Sequence, residues 1–427
     1  KPPQKFINIM DRGPTKSEQA ATSHQSHTQH HTSDPRSPFT FANLKKHWPL
    51  LVLAALLILS FTIRWYHHDY PVIGYHDWKE THYLTEARNF AREGYFRYGF
   101  FVPWTDYPIG PSPDGIHPDT FPLPQIINAQ LFNIFGFNAS IARLLSILFS
   151  IGTVAVAYLL GKQLFKREES ALATAALFAI APLFVFFGRQ AQLDAPALFL
   201  MMLGTFFFLR WRDSDASRDL IIATAALTLG TMTKYTFIVM AVPLVALVLW
   251  ENRERVTQWR PRLKTYAICA GIALLLPAWS GYMSSIPGTY GLKEAATGDT
   301  IELDLLTDSG FWQTMKAYAA DNYTLLGVFF AAVGLALVLF TWRKTLVGKY
   351  LLIYTGASII WFLVMTFKLG GHSYHQYPIA PLVLLLIAYL FTIIATTLNS
   401  IIRFTWTPFI VLTALVFLLW SPSVTSW

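Results

Sequence analysis

Apolar stretches recur along this chain at 48–65, 139–161, 170–187, 195–211, 219–233, 236–250, 265–283, 323–342, 350–367, 378–398 and 407–420. A helix needs about 20 apolar residues to cross a bilayer core of about 30 Å, so the pattern predicts about eleven transmembrane helices. An outer-membrane barrel is excluded, because its strands would alternate apolar and polar residues over about 10 positions. The connections at 162–169, 210–218, 251–264, 343–349 and 399–405 are short and hold 15 of the 33 Lys and Arg residues. Basic connections stay on the cytoplasmic side, which also sets the N-terminus inside. The opposite face receives two long segments, 66–138 and 284–322, and shorter ones at 188–194 and 368–377. Residues 1–40, rich in Ser, Thr, Gln, His and Pro and poor in aromatics, are expected to form a disordered cytoplasmic tail. Residues 41–427 are expected to form one all-α polytopic membrane domain.

Composition narrows the classes further. Only 14% of residues are charged and 53% are hydrophobic, against about 25% charged in soluble chains. The formal charge of +8 sits largely in the cytoplasmic connections, so it reports topology and no nucleic-acid partner is expected. Cys269 is the single cysteine, which excludes an intrachain disulfide or a Cys-rich metal site. No Walker motif or G-x-S-x-G elbow supports NTP or serine hydrolysis.

The first long segment contains eight prolines, too many for a plain helix, but two stretches keep a helical period. Trp78–Arg92 sets Tyr83, Ala87, Phe90 and Ala91 on one face. Leu123–Phe135 does the same for Leu123, Ile126, Ile127, Leu131, Ile134 and Phe135. Both are too short to span. They read either as interfacial helices or as helices packed on the outer ends of spans.

Ionisable residues near membrane level are costly, so the outer segments are where chemistry is sought. Asp77 and Glu80 lie three apart at the start of the first patch. They fit a carboxylate pair with one acting as general base, and equally a capping box. His76 and His82 could join them around a divalent metal. Asp194, before Ala195-Pro196, reads as a helix N-cap. Arg189 opposes the charge bias and needs a partner, either Asp194 or an anionic ligand. Lys234 ends a hairpin after Gly230, where it either snorkels to headgroups or meets an anion. His372, His375 and Tyr377 precede a late span. Carboxylates on one segment and separate cations on three others suit activation of a hydroxyl with stabilisation of a departing phosphate.

The order of these motifs resembles a known family. A cytoplasmic N-terminus and one span lead to an acidic motif, followed by Arg189-x4-Asp194, Gly230-x3-Lys234 and His372-x2-His375-x-Tyr377-Pro378. Over about residues 45–400 this is similar to the GT-C glycosyltransferases of the protein O-mannosyltransferase and aminoarabinose-transferase superfamily. The resemblance implies a GT-C fold and transfer of a sugar, a hexose in the first instance, from a polyprenyl-phosphate donor to an acceptor protein, lipid or glycan. Transfer is expected with inversion, on the extracytoplasmic face of a prokaryotic plasma membrane. It implies Asp77 as catalytic base, with Glu80 as the alternative because many members have Asp followed directly by Glu, whereas here Trp78 follows Asp77 and the second acid comes at Glu80. Arg189, Lys234 and His375 are implied to hold the donor phosphate, with His372 and Tyr377 beside them and Asp194, His76 and His82 in support. Some members carry a soluble outer domain beyond the last span, and none is expected here. The acceptor is expected to enter under the 284–322 segment, which carries Glu294, Asp299, Glu302, Asp304 and Asp308. The rival readings are a transporter or lipid flippase and a lipid-binding scaffold. A transporter should carry charges near mid-span, whereas here they gather at span ends.

Overall fold

A computed structural model describes residues 41–74, 77–102, 119–251, 254, 257–286, 301–404 and 406–419. The tail 1–40, His76, Glu294 and Asp299 lie outside the described residues. The described chain from Trp48 onward forms one compact unit. Among the described residues, regular structure is helical throughout. The α-helices are α1 (Phe41–Trp65), α2 (Asp77–Glu93), α3 (Leu123–Phe135), α4 (Ala139–Phe165), α5 (Glu168–Ile180), α6 (Pro182–Phe186), α7 (Asp194–Ser214), α8 (Ser217–Thr233) and α9 (Val242–Glu251). They continue with α10 (Leu263–Ala273), α11 (Leu275–Ser285), α12 (Ser309–Tyr323), α13 (Leu325–Thr341), α14 (Leu346–Val364), α15 (Thr366–Gly371), α16 (Ala380–Ile402) and α17 (Thr407–Leu419).

Each apolar run falls on one of these helices or on a broken pair. Among the described residues, seven helical stretches are long and apolar enough to cross a membrane, or eight with one bent pair counted as a span. The other runs lie on shorter elements: α8 has 17 residues, α9 has 10 and α17 has 13. The bent pair corrects the reading of 170–187 as a straight span. Between α5 and the Pro182–Arg189 stretch the axis turns by 61°. Pro182 has no N–H to continue the ladder, and it forces Ala181 to an extended ψ of 124°.

A buried cation fills that break. Arg64, near the end of α1, is fully buried. Its Nη1 donates to Ala179 O at 2.9 Å and to Ser60 Oγ at 2.7 Å, its Nη2 donates to Phe178 O at 3.2 Å, and its Nε donates to Ser150 Oγ at 2.7 Å. The carbonyls released at the end of α5 thus meet a positive charge at the negative end of the helix dipole.

The core lies where α5, with Ala171, Leu172, Ala175, Leu177 and Ala179 all buried, passes between α4 and α16. A helix apolar all round belongs in such a position. α7 packs along α8 and α4, and α13 crosses α16. At one end of the bundle, ion pairs gather the basic connections: Lys166 with Asp213 (2.9 Å), Arg210 with Asp219 (3.0 Å), Arg262 with Asp215 (2.5 Å), and Glu251 between Arg212 (2.7 Å) and Lys349 (2.5 Å). Four of the five basic connections therefore share one end, as the charge pattern predicts.

α2 and α3 pack on each other, and α3 packs on α4. α3 is turned polar side inward, and α2 buries polar and apolar residues alike. α3 buries Gln125 and Asn128, whereas Ile134 and Phe135 are 70% and 65% exposed. α2 buries Glu80, His82, Glu86 and Asn89 beside Ala87 and Phe90.

Where α13 crosses α16, Gly334 faces the Leu386 backbone. A Cβ there would stand 2.8 Å from the Leu386 carbonyl carbon, and backbone cannot swing aside as a side chain can. Gly334→Ala is expected to lower thermal stability by about 1–3 kcal/mol, read as a melting shift of the purified protein in nanodiscs. An unchanged melting temperature would contradict this crossing.

Candidate functional site

The first outer segment is pinned by Glu80. Both its oxygens are engaged: Arg143 Nε donates to Oε1 at 2.8 Å and Nη2 to Oε2 at 2.7 Å, while the Ala191 N–H donates to Oε1 at 2.8 Å. Arg143, on α4, spends its remaining nitrogen on the carbonyls of His68 (2.9 Å) and Tyr70. Both side chains are buried. This knot ties the chain after α1, the start of α2, α4 and the 189–191 turn to one another. The capping box is therefore not formed, because Glu80 points away to Arg143. Asp77 instead accepts the N–H of the next residue, Trp78, at 2.7 Å.

Asp77 keeps a partly exposed carboxylate on a cavity of about 380 Å³ that also meets His67, Tyr70, Arg189 and Gln190. Of the two carboxylates, it is the one available to an incoming hydroxyl. Arg189 donates to Tyr66 O at 3.2 Å and lies over the Phe186 ring. Of its two alternatives, the pairing with Asp194 is taken by Lys234.

Asp194 also departs from the N-cap reading. It is the first residue of α7, and its carboxylate receives Lys234 Nζ at 2.6 and 2.8 Å. The α7–α8 hairpin explains why. Gly230 lets α8 lie directly on α7, since a Cβ there would sit 2.9 Å from Met201 Sδ. The start of α7 and the end of α8 are thereby neighbours. The Phe121 N–H donates to Met232 O at 2.8 Å, which brings the first outer segment to the same place.

A larger cavity, about 640 Å³, opens on the other side of the α2 start. Trp78 and Lys79 form one wall, Glu302, Leu305, Asp308 and Phe311 another, and Lys368, His372, Tyr374 and His375 a third. Lys234 Nζ lies 4.6 Å from the centre of the Tyr374 ring, and Lys79 Nζ lies 6.0 Å from it. Burial pushes the Lys79 ammonium down to about 8; Lys234 and Lys368 push the same way, against Asp119 and Asp194. His372 is lowered by burial first and then by Lys79, Lys234 and Lys368. Four basic side chains, Lys79, Lys368, His372 and His375, thus line one cavity opposite Glu302 and Asp308, and Lys234, paired with Asp194, lies against its Tyr374 wall. Such a place attracts a compact anion.

Other candidates lie elsewhere. His82 Nε2 is 2.9 Å from Glu86 Oε1, and Gln125 donates to Glu86 Oε2 at 2.9 Å, so His82 braces α2 against α3. Tyr377 is buried among Phe184, Phe187 and Phe237 and lines neither cavity. Among the described residues no group of three His, Cys, Asp or Glu side chains could hold a metal. Asp308 is a helix cap, accepting from the N–H groups of Gly310 (3.0 Å) and Phe311 (3.1 Å).

Sequence reasoning passed over Lys79, Arg143, Lys368 and Tyr374. A signal existed for Lys79: at about 100° per residue, a helix starting at Asp77 that turns Glu80 inward presents Lys79 to a different wall. Nothing local marks Arg143, which reads as an ordinary first-turn cation of a span.

Comparison with known proteins agrees with this architecture. Residues 117–280 match the family described as dolichyl-phosphate-mannose-protein mannosyltransferase. Two crystal structures of ArnT from Cupriavidus metallidurans are similar in fold. One, bound to undecaprenyl phosphate, has a TM-score of 0.58 at 16% identity, covering 81% of this chain and 60% of that one. The other, in the apo state, has a TM-score of 0.55 at 14% identity with the same coverage. The chain thus spans about 60% of the length of ArnT. No curated protein matches the sequence.

Two outcomes follow from this geometry. Glu80→Ala leaves Arg143 buried without its partner and is expected to cost about 3–5 kcal/mol, seen as a lowered melting temperature. Asp77→Asn should melt like the parent, and equal losses in both would contradict the assignment. Lys79 attracts an anion only when protonated, so affinity for a lipid phosphate should be full below about pH 8 and decline above it. Lys79→Gln should flatten that decline, and a flat parent profile would count against Lys79 as a ligand.

Proposed function

We propose that this chain, a GT-C superfamily member in fold and in its sequence match over residues 117–280, is an integral-membrane glycosyltransferase. It moves a sugar, a hexose in the first instance, from a polyprenyl-phosphate donor to an acceptor hydroxyl. The observation that carries this reading is the gathering of Lys79, Lys368, His372 and His375 on one cavity, with Lys234 against its Tyr374 wall, while Asp77, two residues before Lys79, lines the neighbouring cavity. The undecaprenyl phosphate bound to the similarly folded ArnT agrees with a lipid phosphate as ligand.

The donor phosphate lies in the larger cavity against the lysines and histidines. Asp77 takes the proton of the acceptor hydroxyl as its oxygen attacks the anomeric carbon from the face opposite the phosphate. The bond from that carbon to the phosphate oxygen breaks, and polyprenyl phosphate leaves with both bonding electrons. Attack opposite the leaving group inverts the anomeric centre. The cations act where negative charge grows, in a site poor in water, and there they stabilise the transition state more than the bound donor. Arg189 lies beside Asp77 on its cavity and orients the acceptor hydroxyl there. The basic connections at the other end lie in the cytoplasm, with the N-terminus, so transfer occurs on the extracytoplasmic face of a prokaryotic plasma membrane.

The test is release of polyprenyl phosphate from labelled polyprenyl-phosphate sugars by protein in nanodiscs. Asp77→Asn is expected to lower turnover by about 10²–10⁴-fold while leaving affinity for undecaprenyl phosphate intact, because loss of a general base acts on the chemical step. No release by the parent from mannosyl, glucosyl or aminoarabinosyl donors, with protein, lipid and glycan acceptors supplied, would overturn the reading.

A further inference from the structure

The Tyr374 ring stands where the basic groups of the large cavity converge. Its side chain is buried, with 2% of the residue exposed. Lys234 Nζ lies 4.6 Å and Lys79 Nζ 6.0 Å from its centre. His372 stacks on it at 5.3 Å with 13° between planes, and His375 lies at 4.4 Å. Two ammonium groups directed at one small space repel each other, and a single carboxylate, Asp194, touches Lys234. Among the described residues Lys79 has no carboxylate within ion-pair distance. Its close neighbours are instead aromatic faces, with Trp78 at 4.6 Å, Tyr83 at 5.9 Å and then Tyr374.

We infer that the ring of Tyr374 is a positioning residue that holds Lys79 and Lys234 in place for an incoming lipid phosphate by cation–π attraction. The negative face of the ring does for the empty cavity what the phosphate does for the filled one. It offsets mutual repulsion without supplying a formal anion that the ligand would have to displace. A second carboxylate in its place would bind the lysines more firmly and compete with the phosphate. The hydroxyl has no part in this, so phenylalanine should serve as well as tyrosine. The ligand named here rests on the proposed function; the positioning itself rests on the ring geometry alone.

The measurement pairs Tyr374→Phe with the same variant carrying trifluorinated phenylalanine at 374, which keeps the shape and weakens the negative face. Tyr374→Leu serves as a third case if it folds. Two readouts are taken on full-length protein in nanodiscs. The first is the titration of Lys79 and Lys234 after reductive ¹³C-methylation, followed by NMR without ligand. The groups facing Lys79 are Lys234, Lys368, Asp119, Asp194, His372, His375 and Tyr83, and all are unchanged across the series. The second readout is the Kd for undecaprenyl phosphate.

Tyr374→Phe is expected to match the parent in both. Fluorination should move the lysine titration down by about half to one pH unit and raise the Kd about threefold to tenfold. Identical titrations and affinities for the plain and fluorinated rings would overturn the inference and leave Tyr374 as packing. A Tyr374→Phe variant as impaired as the fluorinated one would overturn it too, because the hydroxyl would then be the active part. If the lysine titrations shift as expected while neither parent nor variant binds undecaprenyl phosphate, the positioning stands and the proposed donor falls.

Discussion

The site depends on one buried ion pair. Glu80 and Arg143 join four separate stretches of chain, and each guanidinium nitrogen and each carboxylate oxygen has a protein partner. A buried pair of this kind adds little stability over apolar packing, because removing two charges from water offsets most of their attraction. What it supplies is position. With Glu80 committed to Arg143, the helix start is oriented so that Asp77 meets one cavity while Trp78 and Lys79 meet the other. The division of labour between the carboxylates follows: the buried one holds the frame, and the partly exposed one is free to accept a proton.

The same logic governs the cations. Lysines crowded in a poorly solvated cavity repel each other strongly because water screens them weakly. Here Asp194 pairs with Lys234, Glu302 and Asp308 stand on the facing wall, and aromatic faces lie against Lys79, so no carboxylate is committed to Lys79 itself among the described residues. A site so poised gains most from a ligand bearing concentrated negative charge. Arg64 shows the contrasting case. It is as deeply buried, but its donors are saturated by two hydroxyls and the carbonyls at a broken helix end. It therefore stabilises the bend that leads to the Arg189 turn and offers nothing to a ligand.

The outer helix α3 inverts the usual rule of amphipathic packing, and α2 meets it with a largely buried surface of mixed polarity. α2 and α3 turn Glu80, Glu86, Gln125 and Asn128 inward and leave Ile134 and Phe135 outside. In water that arrangement would be unfavourable. Beside a bilayer the exterior is apolar, so the apolar stripe can face lipid while polar groups meet across the interior.

Much of this was legible in the residues alone. Period, run length and the placement of Lys and Arg determine a helical membrane chain, its order of spans and the gathering of its basic connections, because solvent acts on each segment independently of the others. The limits of α3 and the start of α2 were legible too, since proline placement and helical period are local. The 61° break at Pro182 was written in the proline but hidden by an unbroken apolar run. Partner choice was not legible. Asp194 looks like a cap until α8 returns Lys234 to it, and Asp77 and Glu80 look equivalent until α4 brings Arg143 to one of them. Lys79 and Lys234 are 155 residues apart in sequence and meet around Tyr374 only because three outer segments converge on one cavity. Local sequence determines what each segment can be; which charges neutralise one another depends on distances that exist only after the helices have packed.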